Sequence, residues 1–330
     1  IFLILKKKMK ILITGAAGFI GFNLSKHLLK KDKFKIIGID NLDNYYDVSL
    51  KKKRLNLLKK EKNFSFIKID LNNQKKLEKI FKKFKFDFIF NLAAQAGVRY
   101  SIQYPEKYID SNVKGFFNII ECAKKFKIKR LFYASSSSVY GESRNFPLHE
   151  RERILPKNIY ALSKKINEEI SFIYKNFYNV KSTGLRFFTV YGEWGRPDMM
   201  MLKYINSYYK KKQFELFNYG NHHRDFTYIG DVVKILESLL LKQKKLPSHE
   251  IFNICSNKPL NLKKVISFMK QKGINPKIKK KTLQKADILK THGDNKKVLK
   301  ITKFRNFTDW KLGIDRTIKW YLEYHKHQKI

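Results

Sequence analysis

Three side chains in the middle of the sequence have the types and the spacing needed to take a proton from a substrate hydroxyl. Tyr160 and Lys164 are four residues apart and therefore share one face of a helix. A phenol titrates near ~10, too high for a base at neutral pH. A cation ~4 Å away, at an effective dielectric of ~20, stabilises the phenolate by ~4 kcal/mol, or ~3 pKa units. Ser136, on an earlier strand, could share the proton with the substrate, so the set predicts general acid–base chemistry.

A glycine-rich turn near the start of the chain has the composition of a phosphate-binding loop. Gly15, Gly18 and Gly21 separate an apolar run, 10–14, from a helical pattern that begins at Phe19. Small residues let backbone N–H groups approach a pyrophosphate, and the positive end of the helix dipole faces the anion. The spacing is G-x-x-G-x-x-G instead of the common G-x-G-x-x-G, so a purely structural turn is the alternative.

Carboxylates at the ends of the next two predicted strands indicate which dinucleotide binds. Asp40 can accept hydrogen bonds from the hydroxyls of the adenosine ribose and would repel a 2′-phosphate, which favours NAD over NADP. Asp70, followed by Leu71, would lie near the adenine, although Asp70 could equally cap its strand. A Tyr–Lys pair alone is weak evidence for a catalytic site in a chain rich in both residues. The pair becomes strong evidence when it is combined with the glycine turn, the serine and the order of the elements.

Strands and helices alternate through the first half of the chain, which indicates how these residues are brought together. The predicted strands are 10–14, 34–39, 64–69, 86–92, 129–135 and 182–187, and the predicted helices are 19–30, 74–84, 111–126 and 159–177. Right-handed crossovers between such strands produce a parallel sheet with helices on both faces. We therefore predict an α/β fold with a doubly wound, Rossmann-like parallel sheet and a smaller C-terminal α/β substrate lobe.

The alternation stops after about Gly192, which suggests a domain boundary there. We expect a dinucleotide-binding domain over 9–192, with a later strand near 251–255 returning to its sheet, and a second lobe formed mainly by 193–330. Residues 1–8 are expected to be an upstream extension, because their apolar stretch lacks the features of a signal peptide and Met9 follows directly.

The net charge of +43, from 71 basic and 28 acidic side chains, is the unusual number in the composition. Taken alone, this charge indicates a nucleic acid or an acidic membrane as the binding partner. The lysines are spread in short runs without a basic tail, so we interpret them as the compositional bias of an AT-rich genome and expect neither partner. No apolar run approaches the ~18 residues that span a bilayer. The two cysteines, Cys122 and Cys255, fit a cytoplasmic location.

The chain resembles the extended short-chain dehydrogenase/reductase family, the NAD-dependent epimerases and dehydratases of nucleotide sugars, over roughly 9–320. The resemblance is carried by Gly15 to Gly21, Asp40 with Asn41, 91–97, 133–141, Tyr160 with Lys164, 185–192 and 224–231. Within that family the chain is most similar to UDP-glucuronate 4-epimerases, through 94–101 and 188–199. The implied reaction converts UDP-glucuronate to UDP-galacturonate through a transient 4-keto sugar.

The resemblance also implies a role for each site residue. Tyr160, Lys164 and Ser136 are the implied catalytic residues, and no metal is implied. The implied NAD contacts are Gly15, Gly18, Phe19, Ile20, Gly21, Asp40, Asn41, Asp70, Leu71, Leu92, Ala93, Ala94, Asn112, Tyr160 and Lys164. The implied substrate contacts are Ser136, Ser137, Ser138, Thr189, Arg196, Arg224 and Asp287. For Arg196 a loop-stabilising role is about as well supported as a contact with the diphosphate.

The serine run favours an acidic sugar. Dehydratases of this family resemble one another in an Asp–Glu pair, and decarboxylases carry a Glu, where this chain has Ser137 and Ser138. These serines cannot transfer protons at neutral pH, but they and Thr189 can donate hydrogen bonds to a substrate carboxylate. The alternatives are a 4-epimerase of neutral or N-acetylated UDP-hexoses and, in another class, a non-catalytic dinucleotide-binding protein.

The resemblance further implies a homodimer. The helices 111–126 and 159–177 would pair with their mates in a four-helix bundle, and we expect Phe116, Ile120, Ile170 and Ile173 on their outer faces.

Overall fold

The structure, a computed structural model, describes residues 8–284 and 287–326. The first seven residues of the expected upstream extension lie outside the described residues. Within the described ranges, no helix has both the length and the apolar character needed to cross a bilayer.

A parallel sheet forms the centre of the protein. The strands of the described residues are β1 (Met9–Thr14), β2 (Phe34–Asp40), β3 (Phe64–Lys68), β4 (Phe88–Asn91), β5 (Arg130–Ser136), β6 (Ser182–Phe187), β7 (Thr189–Tyr191), β8 (Phe214–Phe217), β9 (His223–Tyr228), β10 (His249–Ile254), β11 (Pro259–Asn261) and β12 (Ile278–Lys281). The large sheet has seven strands in the order β10-β6-β5-β4-β1-β2-β3, and all its neighbours are parallel. Two small sheets, β11-β9-β7 and β12-β8, form the second lobe.

Helices cover both faces of the large sheet. The α-helices of the described residues are α1 (Phe19–Leu29), α2 (Val48–Lys59), α3 (Gln74–Phe84), α4 (Tyr100–Gln103), α5 (Pro105–Tyr108), α6 (Gly115–Lys125), α7 (Ile159–Tyr178), α8 (Met200–Tyr209), α9 (Ile229–Leu241), α10 (Leu262–Gln271), α11 (Lys296–Thr302) and α12 (Trp310–Lys326). A π-helical segment, Ile109–Lys114, leads into α6. This architecture confirms the predicted doubly wound α/β class. The strand order reverses between β1 and β4, where open α/β sheets bind their ligands.

Two large apolar cores of the described residues lie between the sheet and its helices, beside a third, smaller cluster that includes Tyr140 and Phe188. One core lies against α3 and α6 and includes Leu77, Ile119 and Leu131. The larger one lies against α1, α2 and α9 and continues into the second lobe, so both lobes share apolar contacts. The two lobes are therefore supported by one continuous core.

The helix α2 was not predicted from the sequence. Its inward positions include two basic residues, Lys51 and Arg54, which are 7% and 0% exposed. Apolar residues Leu50, Leu55 and Leu58 complete the buried face. Because two of the inward positions are charged, the apolar periodicity that marks an amphipathic helix is hidden.

The prediction of which residues lie on the outer faces of the helices 111–126 and 159–177 is partly wrong. Phe116 and Ile120 are 1% and 0% exposed and pack in the core beneath the sheet, and Ile170 is half-buried against the same core. Ile173 is exposed as expected. The π-helical segment Ile109–Lys114 adds one residue to a turn, which rotates the following helix relative to a continuous α-helix.

A buried ion pair connects α7 to the two strands it covers. Arg186 on β6 donates from Nη2 to Glu168 Oε2 at 2.7 Å and from Nε to Oε1 at 2.9 Å. Ser135 on β5 donates to the same Oε1 at 2.5 Å. The two charged side chains are 1% and 4% exposed. A bidentate pair that is fully hydrogen-bonded fixes α7, β5 and β6 in one arrangement.

Candidate active site

A cavity of about 440 Å³ lies at the carboxyl ends of the central strands. The glycine turn after β1 and residues 92–98 after β4 form one part of its lining. The serine run after β5, the start of α7 and residues 187–190 form another. The same cavity therefore collects most of the residues that the sequence singled out.

The glycine turn leaves room only for a bare backbone. Gly15 has a φ of +68°, and a Cβ there would lie 2.7 Å from the Ala93 nitrogen. A Cβ on Gly21 would lie 2.2 Å from the Gly15 carbonyl oxygen. Helix α1 begins at Phe19 without a capping side chain, so its N-terminus can receive an anion. This backbone cradle fits a pyrophosphate.

Asp40 closes the adenosine end of the cavity. Its Oδ2 accepts from the Ala17 N–H at 3.1 Å and its Oδ1 from the Leu42 N–H at 2.8 Å. Burial raises the pKa of this carboxyl, although both backbone donors and Lys51 oppose the effect. Each carboxylate oxygen has a further lone pair, so Asp40 can still accept from a ribose hydroxyl. The residues present therefore fit a dinucleotide.

The other expected NAD contacts divide into two groups. Those that line the cavity are Phe19, Ile20, Asn41, Asp70, Leu71, Leu92, Ala93 and Ala94. Asn112 is buried and is not part of the cavity lining. Its amide accepts from the Gln95 N–H at 2.7 Å and donates to the Gln95 carbonyl and to Ser163, both at 3.0 Å. Asn112 thus holds the backbone of a lining residue.

Tyr160, Lys164 and Ser136 all line the cavity. Helix α7 begins just before Tyr160, where the Asn158 side chain accepts from the Ala161 N–H at 2.9 Å. Lys164 Nζ donates to the Ala134 carbonyl at 3.0 Å and lies 6.0 Å from the centre of the Tyr160 ring. Lys164 is buried, and burial lowers its pKa to about 8. Lys164 therefore lies beside Tyr160, but its hydrogen bond goes to the backbone of β5.

Ser135 begins the serine run and also lines the cavity, although it was not among the predicted site residues. Its hydroxyl is bound to Glu168, one helical turn after Lys164 on the same face of α7. A glutamate at that spacing could have indicated the contact. Tyr45 and Lys51 also line the cavity and were missed, because α2 and the loop before it were not predicted.

Five of the expected substrate residues line the cavity: Ser136, Ser137, Ser138, Thr189 and Arg196. Arg196 is paired with Asp198 through Nη2–Oδ2 at 2.5 Å and Nε–Oδ1 at 3.1 Å. Burial lowers the pKa of Arg196, but the Asp198 carboxylate outweighs burial and raises it above its usual value. Tyr45 also donates to Asp198 Oδ2, at 3.0 Å.

Arg224 and Asp287 lie outside the lining of this cavity. Asp287 is held by Arg99 at 3.0 Å, and Arg224 donates to the carbonyls of His223 and Leu289. Burial lowers the pKa of Arg224 to about 10, although Asp287 opposes the effect. The two expected nucleotide contacts therefore lie outside the cavity lining, and Arg99 connects Asp287 to the segment after β4.

No metal site is apparent among the described ranges 8–284 and 287–326: none of their His, Cys, Asp and Glu side chains form a group of three that could hold a metal ion.

Comparison with known proteins gives one family and full-length relatives. The family model described as NAD dependent epimerase/dehydratase family matches residues 11–255. An uncharacterized protein of Methanocaldococcus jannaschii is 45% identical, over 96% of this chain and 97% of its own. A UDP-glucuronate 4-epimerase of Thermodesulfobacterium geofontis is 38% identical, over 94% of this chain and 95% of its own. The UDP-glucuronic acid 4-epimerase of Bacillus cereus, in complex with UDP-glucuronic acid and NAD, superimposes with a TM-score of 0.91 at 28% identity, over 96% of this chain and 100% of that chain.

The lowered pKa of Lys164 predicts that this residue costs stability. Between pH 8 and 10.5 the unfolded chain holds a proton that the folded protein has lost, so stability rises with pH across that window. At pH 7 the charge is buried at a cost of up to about 3 kcal/mol. We expect Lys164→Met to raise the free energy of unfolding at pH 7, measured by urea denaturation.

The increase in the free energy of unfolding caused by Lys164→Met should become smaller as the pH rises from 8 to 10.5. Lys165→Met, at the neighbouring and more exposed position, is the matched control and should change stability little at either pH. A less stable Lys164→Met protein at pH 7 would contradict the prediction.

Proposed function

The chain belongs to the NAD dependent epimerase/dehydratase family of nucleotide-sugar enzymes, and we propose that it interconverts UDP-glucuronate and UDP-galacturonate at C4 of the sugar. One observation carries the choice of sugar. Ser137, Ser138 and Thr189 line the cavity that also holds Tyr160, and their neutral hydroxyls can donate hydrogen bonds to a sugar carboxylate. Arg196, on the same lining, is the expected contact of the diphosphate, which every UDP-sugar carries.

The protein's own residues manage the proton at the C4 oxygen. Tyr160 accepts the proton of the 4-hydroxyl and later returns it to the same oxygen. Ser136 hydrogen-bonds that oxygen, and Lys164 lies beside Tyr160, with its Nζ 6.0 Å from the centre of the ring. NAD, held by the glycine turn and Asp40, supplies a reversible hydride acceptor for C4.

The carboxylate of the sugar sets a further requirement. Oxidation of a glucuronate at C4 gives a β-keto acid, which tends to lose carbon dioxide. Loss requires the bond between C5 and the carboxyl carbon to align with the π system of the carbonyl. Hydrogen bonds that hold the carboxylate near the plane of the ring oppose this alignment. The hydroxyls of Ser137, Ser138 and Thr189 are short donors at strand ends, suited to that task.

The rival reactions would need other side chains at the same positions. A dehydratase needs an acid and a base to eliminate water, and a serine hydroxyl acts as neither at neutral pH. A 4-epimerase of neutral UDP-hexoses has no sugar carboxylate to which the hydroxyls of Ser137, Ser138 and Thr189 could donate. Ser136, Tyr160 and Lys164 together on one lining argue against a non-catalytic dinucleotide-binding protein, because binding alone gives no chemical reason to keep all three.

We extend the proposal to a homodimer built on α6 and α7. The exposed side chains on these helices include Phe117, Phe172, Ile173 and Phe177, with 44%, 50%, 48% and 78% of their surfaces accessible. Adjacent exposed apolar residues mark protein–protein contact surfaces. These residues replace Phe116 and Ile120 as the expected contacts.

With a panel of UDP-sugars, we expect conversion of UDP-glucuronate to UDP-galacturonate with little UDP-pentose, as determined by mass spectrometry and proton NMR. UDP-glucose should react much more slowly, because it lacks the charged acceptor worth ~1.5–3 kcal/mol per hydrogen bond. Thr189→Val should lower kcat/KM for UDP-glucuronate ~10-fold or more, and Thr189→Ser should restore most of it. Dominant pentose, or equal rates with UDP-glucose, would contradict the proposed sugar.

Tyr160→Phe keeps the ring and removes the proton acceptor. We expect turnover to fall ~10²–10⁴-fold, the usual contribution of a general base. The thermal unfolding midpoint should stay within a few degrees of the wild-type value. Tyr208→Phe, at a partly exposed tyrosine of α8, is the matched control and should keep full activity. Near-normal turnover of Tyr160→Phe would overturn the mechanism.

For the oligomer, light scattering at micromolar concentration should give twice the mass of the chain. The double variant Phe117→Asp/Phe177→Asp should give the mass of one chain with its circular dichroism unchanged, because two buried carboxylates per protomer would destabilise the interface. A wild-type protein with the mass of a single chain would exclude the dimer.

A further inference from the structure

Arg54, on α2, is a completely buried cation that binds only neutral oxygens. Its side chain is 0% exposed. Within the described residues, it forms no ion pair with a carboxylate at hydrogen-bond distance. Nη1 donates to the Ala17 carbonyl and to the Tyr46 hydroxyl, both at 2.8 Å. Nη2 donates to the carbonyls of Trp194 and Gly195 at 2.5 and 2.9 Å.

These four oxygens belong to three separate loops around the cavity. Ala17 lies in the glycine turn, and Tyr46 lies in the loop between β2 and α2. Trp194 and Gly195 lie in the loop between β7 and α8, directly before Arg196. Arg54 therefore joins the cradle proposed for the cofactor to the loop that carries the proposed substrate cation.

The contact with Trp194 stabilises an unfavourable backbone. Trp194 has a φ of +59°, in the left-handed region that bulky residues rarely occupy. Such a conformation costs about 1–3 kcal/mol and persists only where its surroundings enforce it. Two enforcing contacts are present: the carbonyl is bound by Arg54, and the ring packs at 5.3 Å against both Phe22 and Trp320.

The other contacts of the two flanking loops add to this arrangement. At Ala17, Asp40 accepts from the backbone N–H while Arg54 donates to the carbonyl, so both peptide groups that flank this residue are bound. The loop after β7 is also bound by Tyr45, which donates to Asp198. Without Arg54, the glycine turn keeps its Asp40 contact, but the carbonyls just before Arg196 lose their donors.

We propose that Arg54 is a positioning residue that fixes the loop 192–199 and thereby sets where Arg196 stands in the cavity. The proposal rests on the proposed function for the role of Arg196 toward an anionic UDP-sugar. A planar guanidinium with two donor-bearing arms can bind three loops at once, whereas a lysine ammonium reaches fewer acceptors. The residue does not touch the reacting atoms and acts through the loop.

Hydrogen exchange measured by mass spectrometry tests the positioning directly, without any sugar. We expect amides of 192–199 to exchange at least ~10-fold faster in Arg54→Met than in the wild type, with an intermediate effect in Arg54→Lys. Lys52→Met, an exposed position on the same helix, is the matched control and should leave the exchange of this loop unchanged. Unchanged exchange in both Arg54 variants would overturn the proposal. If Arg54→Met does not fold, Arg54→Lys decides by the same measurement.

A double-variant cycle with Arg196→Ala tests the functional consequence. In Arg54→Lys, KM for UDP-glucuronate should rise ~10-fold with a smaller change in kcat, while the affinity for NAD, measured by calorimetry, stays within ~3-fold. Arg54→Lys combined with Arg196→Ala should be no worse than Arg196→Ala alone. Fully additive losses would mean that Arg54 acts on stability in general and would overturn the proposal. If the wild type converts no UDP-glucuronate, the proposed function fails and the exchange measurement still decides the role of Arg54.

Discussion

The ion pair between Glu168 and Arg186 sets the geometry on which the site depends. Glu168 stands one turn beyond Lys164 on α7, Arg186 stands on β6, and Ser135 on β5 donates to the same carboxylate. Tyr160 and Lys164 therefore cannot shift relative to the serine run without breaking charge-assisted hydrogen bonds in a buried environment. Breaking a buried pair by removing one partner typically costs about 3–5 kcal/mol, so the arrangement is rigid.

Around this rigid part, the protein buries cations that serve the cavity. Lys164 is bound to one carbonyl and Arg54 to three carbonyls and a hydroxyl, none of them charged. Neutral acceptors compensate a buried charge less well than a carboxylate does. The charge of Lys164 therefore remains available to the reaction, and the apolar cores on both faces of the sheet supply the stability that it costs.

Sequence reasoning predicted the sheet and most of the cavity because both follow from short-range patterns. The bounds of β6 and α3 agree with the predicted bounds residue for residue, since each begins and ends with a clear change in composition. The sequence-based prediction failed where the apolar periodicity is interrupted. Helix α2 turns Lys51 and Arg54 inward, and the π-helical segment before α6 shifts the face on which Phe116 lies. Contacts between distant loops, such as Arg54 with Trp194, leave no pattern along the chain at all.

The wall of serines at the end of β5 also bears on how such a protein could change its chemistry during evolution. Ser137 and Ser138 are neighbours in the chain, and both line the cavity on a framework that Glu168 and Arg186 hold in place. Substituting these two side chains would alter the groups presented to the sugar without disturbing the cradle for the dinucleotide or the helix that carries Tyr160. A lineage could therefore move from epimerisation to elimination or decarboxylation in a few substitutions, with the scaffold inherited intact.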